Sequence, residues 1–245
     1  MEPEAADCTI RLSGLRLDIS GRTVLGPLDL QGNAPRIGIV GRNGSGKSTL
    51  ARLLAGLIAP TSGQLTIGGV DVHADRRAAL RMVGILFQNP EHQIIFPIVS
   101  EEIAFGLRQL GASRDEALAR TDEVLARFDR LHWRDAPVSA LSQGQKHLVC
   151  IMAVLAMRPR LLILDEPFAG LDIPTRMQLT RHLDGAGLRL LHISHDPADL
   201  AGYDQLFWLD RGRIVASGAA APILSDFTAE MQRLGHLDDL ADLSC

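Results

Sequence analysis

Gly41-Arg42-Asn43-Gly44-Ser45-Gly46-Lys47-Ser48 decides the fold. The short apolar run Arg36 to Val40 precedes it. From Lys47 to Ile58 it is followed by Leu50, Leu53, Leu54, Leu57 and Ile58 at helical spacing, so the loop joins a strand to a helix. Its glycines let the main chain curl into a nest of N–H groups, and the helix adds its positive end; both attract nucleotide phosphates. In a GxxxxGK[ST] loop the lysine, here Lys47, reaches the β- and γ-phosphates, and the Ser48 hydroxyl holds Mg²⁺. Residues 41–48 and the adjoining Thr49 are therefore read as nucleotide-binding, with Mg²⁺ beside the phosphates. The loop alone does not separate a kinase, a GTPase, a helicase and a transport ATPase.

Before the loop, Ile10, Leu12, Leu15, Leu17, Leu28 and Leu30 alternate with polar residues around Gly14, Gly21 and Gly26, which predicts antiparallel strands and turns. After it, the chain turns helical from about 90 to about 140. Ser113 to Leu131 is the best helix there, with Ser113 and Glu116 in a capping-box pattern. A further helix is expected over Gln143 to Met157, stopping before Pro159. Leu161 to Leu164 reads as a buried strand, Leu188 to Ser194 as a further strand, and Gln205–Asp210 with Arg213–Ser217 as a hairpin turning at Arg211-Gly212. The fold class is α/β, one domain over 8–235 with a helical insertion, followed by a short tail over 236–245.

Composition narrows the function. A formal net charge of −4 gives no basic footprint for nucleic acid. Cys8, Cys150 and Cys245 form no CxxC pair, so neither a zinc site nor a disulfide framework is indicated. The first residues, Met1-Glu2-Pro3-Glu4, are acidic without an apolar leader pattern, and no run approaches the roughly 18 apolar residues of a spanning helix, so a chain neither secreted nor membrane-embedded is expected. His192 and His195, three apart on a strand, face opposite ways and make no metal pair. No aromatic residue precedes Phe87, so the first third of the chain must pack with Leu, Ile, Val and Ala.

The strand Leu161 to Leu164 delivers two carboxylates, Asp165 and Glu166, at the sheet edge where α/β folds bind ligands. Asp165 suits the Mg²⁺ shell and Glu166 suits polarising the water that attacks the γ-phosphate. Leu141-Ser142-Gln143-Gly144-Gln145-Lys146 resembles the LSGGQ signature of ABC ATPases, and the remaining motifs follow that family's order. Gln88 is similar to its Q-loop glutamine, Ala169-Gly170-Leu171-Asp172 to its D-loop, and His195 to its switch histidine. The resemblance runs from about Ile10 to Ile223 and implies a RecA-like P-loop NTPase core with an N-terminal antiparallel β subdomain and an α-helical insertion. It implies that Glu166, His195 and Gln88 are catalytic, with Ser48, Gln88 and Asp165 around Mg²⁺. It also implies that Ser142, Gln143, Gly144 and Gln145 meet ATP held by a second subunit, and that Asp172 bridges the two. A second copy or a paralogue is then required, and a homodimer is the simpler assumption.

Two positions depart from the family's pattern. Gln143 stands where the signature has a glycine. Ile19 stands where the family stacks an aromatic on adenine, so weaker discrimination of the base is expected.

Phe87 to Gln93, then Ile94-Ile95-Phe96-Pro97 and Val99 to Leu107, resemble the energy-coupling-factor subgroup. That resemblance implies two ATPases gripping a transmembrane coupling protein on the cytoplasmic side of the inner membrane. A separate membrane protein captures the vitamin or metal ion. The short form of the chain is most similar to the dedicated biotin-importer ATPases, with cobalt or nickel importers next. Other ABC transporters, and a non-transport ABC ATPase acting on nucleic acid, are the alternatives.

Overall fold

The computed structural model describes residues 7–235; the tail read from the sequence over 236–245 lies outside them. Two sheets form the frame. The first is antiparallel, in the order β2 (Arg22–Gly32), β1 (Ile10–Ile19), β4 (Ser62–Ile67), β5 (Val70–Asp71). Leu12↔Leu30, Leu15↔Leu28 and Leu12↔Leu65 set its register, so the alternation read from the sequence becomes one buried leucine face.

The second sheet has six strands, in the order β10 (Arg213–Ala219), β9 (Gln205–Asp210), β3 (Arg36–Val40), β8 (Arg189–Ser194), β7 (Leu161–Asp165), β6 (Val83–Leu86). β9, β3, β8, β7 and β6 run parallel, and β10 is the antiparallel edge. A strand covered on both faces reads as a near-continuous apolar run, here Leu161 to Leu164, and all of Leu161–Asp165 is buried.

Among the described residues seven helices cover these sheets: α1 (Lys47–Leu54), α2 (Arg76–Met82), α3 (Val99–Gln109), α4 (Arg114–Arg127), α5 (Gln143–Ala156), α6 (Ile173–Asp184) and α7 (Ala220–Gly235). One core joins the antiparallel sheet, α1 and one face of the parallel sheet, and among its buried residues only Phe207 is aromatic. The expectation of an aliphatic N-terminal core holds. A second core packs α3, α4, α5 and α6 onto the other face, and a third lies under α7.

Two helices end before the sequence reading expects. α1 stops at Leu54 because Gly56 turns left-handed at φ +70°, and Leu57 N–H bonds back to the Arg52 carbonyl. α4 stops at Arg127 by the same device, with Asp129 at φ +57° and Arg130 N–H on the Leu125 carbonyl, which leaves Leu131 outside and exposed. The capping box of α4 is present as read: Glu116 N–H donates to Ser113 Oγ, and Ser113 N–H to Glu116 Oε2.

Candidate functional site

β3, β8 and β7 are neighbours and parallel, so their C-terminal ends form one edge, with the end of β6 beside them. β3 runs into Gly41, β7 ends on Asp165-Glu166, β8 runs into His195 and β6 leads to Gln88. Residues scattered over more than 150 positions of sequence thus meet at one place.

The loop 41–46 is wedged into this edge. A Cβ on Gly41 would sit 2.2 Å from the Leu209 carbonyl, and Gly46 enters α1 at φ +101°, so neither position admits a larger side chain without strain. Gly212 N–H bonds to the Ser45 carbonyl at 2.9 Å, tying the loop to the β9–β10 turn.

Lys47 is buried, and its Nζ donates to the carbonyls of Gly41 at 2.8 Å and Arg42 at 3.0 Å. It also lies 3.5 Å from Glu166 Oε1. Burial lowers its pKa, and Glu166 works against that shift. Ser48 Oγ donates to Asp165 Oδ1 at 3.0 Å. Burial raises the Asp165 pKa, the Ser48 hydrogen bond opposes it, and neighbouring Glu166 adds to it.

Glu166 leaves β7 in a left-handed conformation, φ +50°, and its N–H bonds to the Ile193 carbonyl of β8. A non-glycine residue held there costs roughly 1–3 kcal/mol, which surrounding contacts must offset. The turn aims the carboxylate between two basic groups, with Oε2 3.0 Å from His195 Nδ1. His192 faces the other way, buried with Nδ1 3.0 Å from the Tyr203 hydroxyl and its ring edge-on to Phe168.

A cavity of about 400 Å³ opens over these groups. Asn43, Gly44, Gly46, Lys47, Ser48 and Thr49 line it, as do Gln88, Glu166, His195 and Val24. Val24, on β2, is a wall residue that the motifs do not signal, since an aliphatic side chain in an alternating strand reads as core. Arg42 instead borders a larger cavity of about 690 Å³ beside α7. Ile19 ends β1 half exposed and is not among the residues lining the smaller cavity.

Ser142, Gln143, Gly144, Gln145 and Asp172 are not part of that cavity's lining either. They start two helices. Ser142 and Gln145 form a capping box on α5, and Asp172 caps α6 by accepting from Thr175 N–H at 3.0 Å. Gly144 lies against α6, where a Cβ would come within 2.7 Å of the Thr175 methyl.

Ser48, Asp165 and Gln88 offer a hydroxyl, a carboxylate and an amide, the hard oxygen ligands that suit Mg²⁺. Among the described residues no group of three or more His, Cys, Asp or Glu could hold a metal on its own. The cation that fits here is one that shares its coordination with nucleotide phosphates.

Comparison with known proteins agrees with this geometry. The ABC transporter family model matches residues 31–169. The chain is 48% identical over 227 residues to the biotin transport ATP-binding protein BioM of Rhodobacter capsulatus, covering 93% of this chain and 97% of that one. It is 39% identical to the energy-coupling factor transporter ATP-binding protein EcfA1 of Lacticaseibacillus paracasei, covering 81% and 73%. The solved structure of cbiO1 from Clostridium perfringens, part of the ABC transporter complex cbiONQ, superposes with a TM-score of 0.74 at 29% identity, covering 94% and 98%. The phosphate loop, the carboxylate pair and these relatives lead to one conclusion: the chain belongs to the ABC transporter family, as an ATP-binding subunit whose ATP hydrolysis is coupled to transport.

Proposed function

We propose that this chain is the motor of an energy-coupling-factor importer for biotin, working as a pair of copies on the cytoplasmic face of the inner membrane. The observation that carries the reading is the near full-length identity with BioM. No helix among the described residues is long and apolar enough to cross a membrane, so the membrane path would belong to partner proteins.

The docking surface in this reading is the segment after Gln88. Glu102, buried at the start of α3, accepts N–H bonds from Ile95 and Phe96, both at 2.8 Å. Gln93 Oε1 accepts from Phe87 N–H at 3.2 Å, and Phe96 packs on Phe105. These bonds brace the loop while leaving Ile95 68% exposed, an apolar contact for a helix of the coupling protein.

In the cavity, Lys47 and the N-terminus of α1 bind the β- and γ-phosphates. Mg²⁺, when bound, neutralises phosphate charge, and Ser48, Asp165 and Gln88 would hold it. Glu166 orients and deprotonates the attacking water, and His195, in contact with Glu166 Oε2, meets the γ-phosphate side of the reaction. Ser142, Gln143, Gly144 and Gln145 complete the cavity of the second copy, and Asp172 bridges the copies. Because the phosphate loop occurs once in the chain, this arrangement needs two chains.

The test is to purify the chain with its membrane partners and identify the solute that comes with them by mass spectrometry. Biotin is the expected result, and cobalt or nickel would overturn the assignment. In the same preparation Glu166→Gln should bind ATP normally and turn it over about 10²-fold more slowly, the scale for loss of a positioned base. Ile95→Asp should keep ATP binding and lose the coupling protein.

A further inference from the structure

Two consecutive residues of α5, Lys146 and His147, reach toward the segment that carries Gln88. Lys146 Nζ pairs with Glu91 Oε1 at 2.8 Å, on the 3-10 turn Pro90–His92. Glu91 is exposed, and such pairs add little on their own. His147 differs: it is fully buried, and its ring lies between two main-chain carbonyls. Nε2 is 3.1 Å from the Gln88 oxygen, and Nδ1 is 3.2 Å from the Gln143 oxygen one turn back on its own helix.

A carbonyl can only accept, so each contact needs a proton on the ring nitrogen that faces it. An uncharged imidazole has one N–H, and here it faces two acceptors. The helix ladder offers the Gln143 carbonyl the main-chain N–H four residues on. The Gln88 carbonyl, in irregular chain beyond β6, has no such ladder. The proton therefore belongs on Nε2.

We propose that His147 is the positioning residue that fixes the main chain at Gln88, locking the Gln88 side chain over the phosphate cavity in register with the start of α5. Gln88 is the one lining residue that the β6 end contributes to that cavity. Without the ring, its main chain loses a buried partner, and the side chain loses its fixed place beside Ser48 and Glu166. The inference rests on the reading of this cavity as the site of ATP turnover.

The experiment uses the assembled transporter with His147→Ala and His147→Gln, measuring kcat, KM and direct nucleotide binding, with Glu166→Gln as the control for the site. Taking the ring's N–H away from the Gln88 carbonyl should lower kcat about tenfold in His147→Ala, with nucleotide affinity within about twofold of the parent. His147→Gln, whose amide can donate to the same carbonyl, should restore kcat to within about threefold. An unchanged kcat in His147→Ala would overturn the proposal. So would parallel loss of kcat and nucleotide affinity in both variants, because that pattern marks packing alone. A wild-type rate insensitive to Glu166→Gln would instead remove the cavity reading on which the inference rests, and the two failures are therefore distinguishable.

Discussion

Ile19 and Glu166 mark the two limits of what single residues disclose. The Asp165-Glu166 pair is legible as chemistry because an apolar strand ends on it. The left-handed turn that swings Glu166 between Lys47 and His195 carries no signal, since no glycine marks it. At Ile19 the composition shows the missing aromatic ring, and the structure leaves the side chain half exposed at the end of β1, where Ile19 pairs with Arg22 across a two-residue turn. An exposed site accepts a larger side chain at little cost to the fold. Ile19→Tyr should therefore raise ATP affinity about tenfold and weaken competition by GTP, in line with the value of a base-aromatic stack. Competition binding with a fluorescent nucleotide measures both, and unchanged affinity and selectivity would exclude Ile19 as the base contact.

Among the elements, α4 and α5 are legible because each opens on a side-chain cap and carries an apolar stripe long enough to show its period. α2 and α6 are not. α2 has seven residues, of which only Ala79 and Met82 are buried, and α6 buries only Leu179 and Leu183 out of twelve. Those patterns are too sparse to stand out from loop. Yet the first turn of α6 is where the start of α5 rests, through Gly144 against Thr175. Gly144→Ala would push a methyl into a short, stiff side chain, which is overpacking that costs about 1–3 kcal/mol. A fall in melting temperature of about 3–8 °C is expected by calorimetry. ATP turnover should fall with it, because the displaced turns carry Ser142 and Asp172. A variant that melts at the parent's temperature would show that α5 and α6 can part freely.

At the scale of the whole molecule, the motifs could be placed on strand ends, but the order of the strands could not. Which strand lies beside β3 depends on contacts between residues about 150 positions apart, and local periodicity does not report them. The same long-range packing seals His192 between Phe168 and Tyr203 and lowers its pKa to about 3, chiefly by burial, with Arg176 adding and Glu166 opposing. Above about pH 6.5 the histidine is neutral in both folded and unfolded chains and costs nothing. As the pH falls below that value the unfolded chain takes up a proton that the fold refuses, and stability drops by about 1.4 kcal/mol per unit until near the folded pKa. Between about pH 7.5 and about pH 5 the wild type should lose about 2 kcal/mol more than His192→Gln, measured by urea melts. Equal losses would mean that protons reach His192 without unfolding.

The scarcity of rings in the N-terminal third has a consequence for anyone watching the protein by light. The two indoles, Trp133 beside the end of α4 and Trp208 packed edge-on against Phe227 of α7, both lie outside the antiparallel sheet. The ultraviolet emission of the native chain is therefore a witness to its helical and C-terminal parts, and the leucine-built sheet beside the phosphate loop is optically dark.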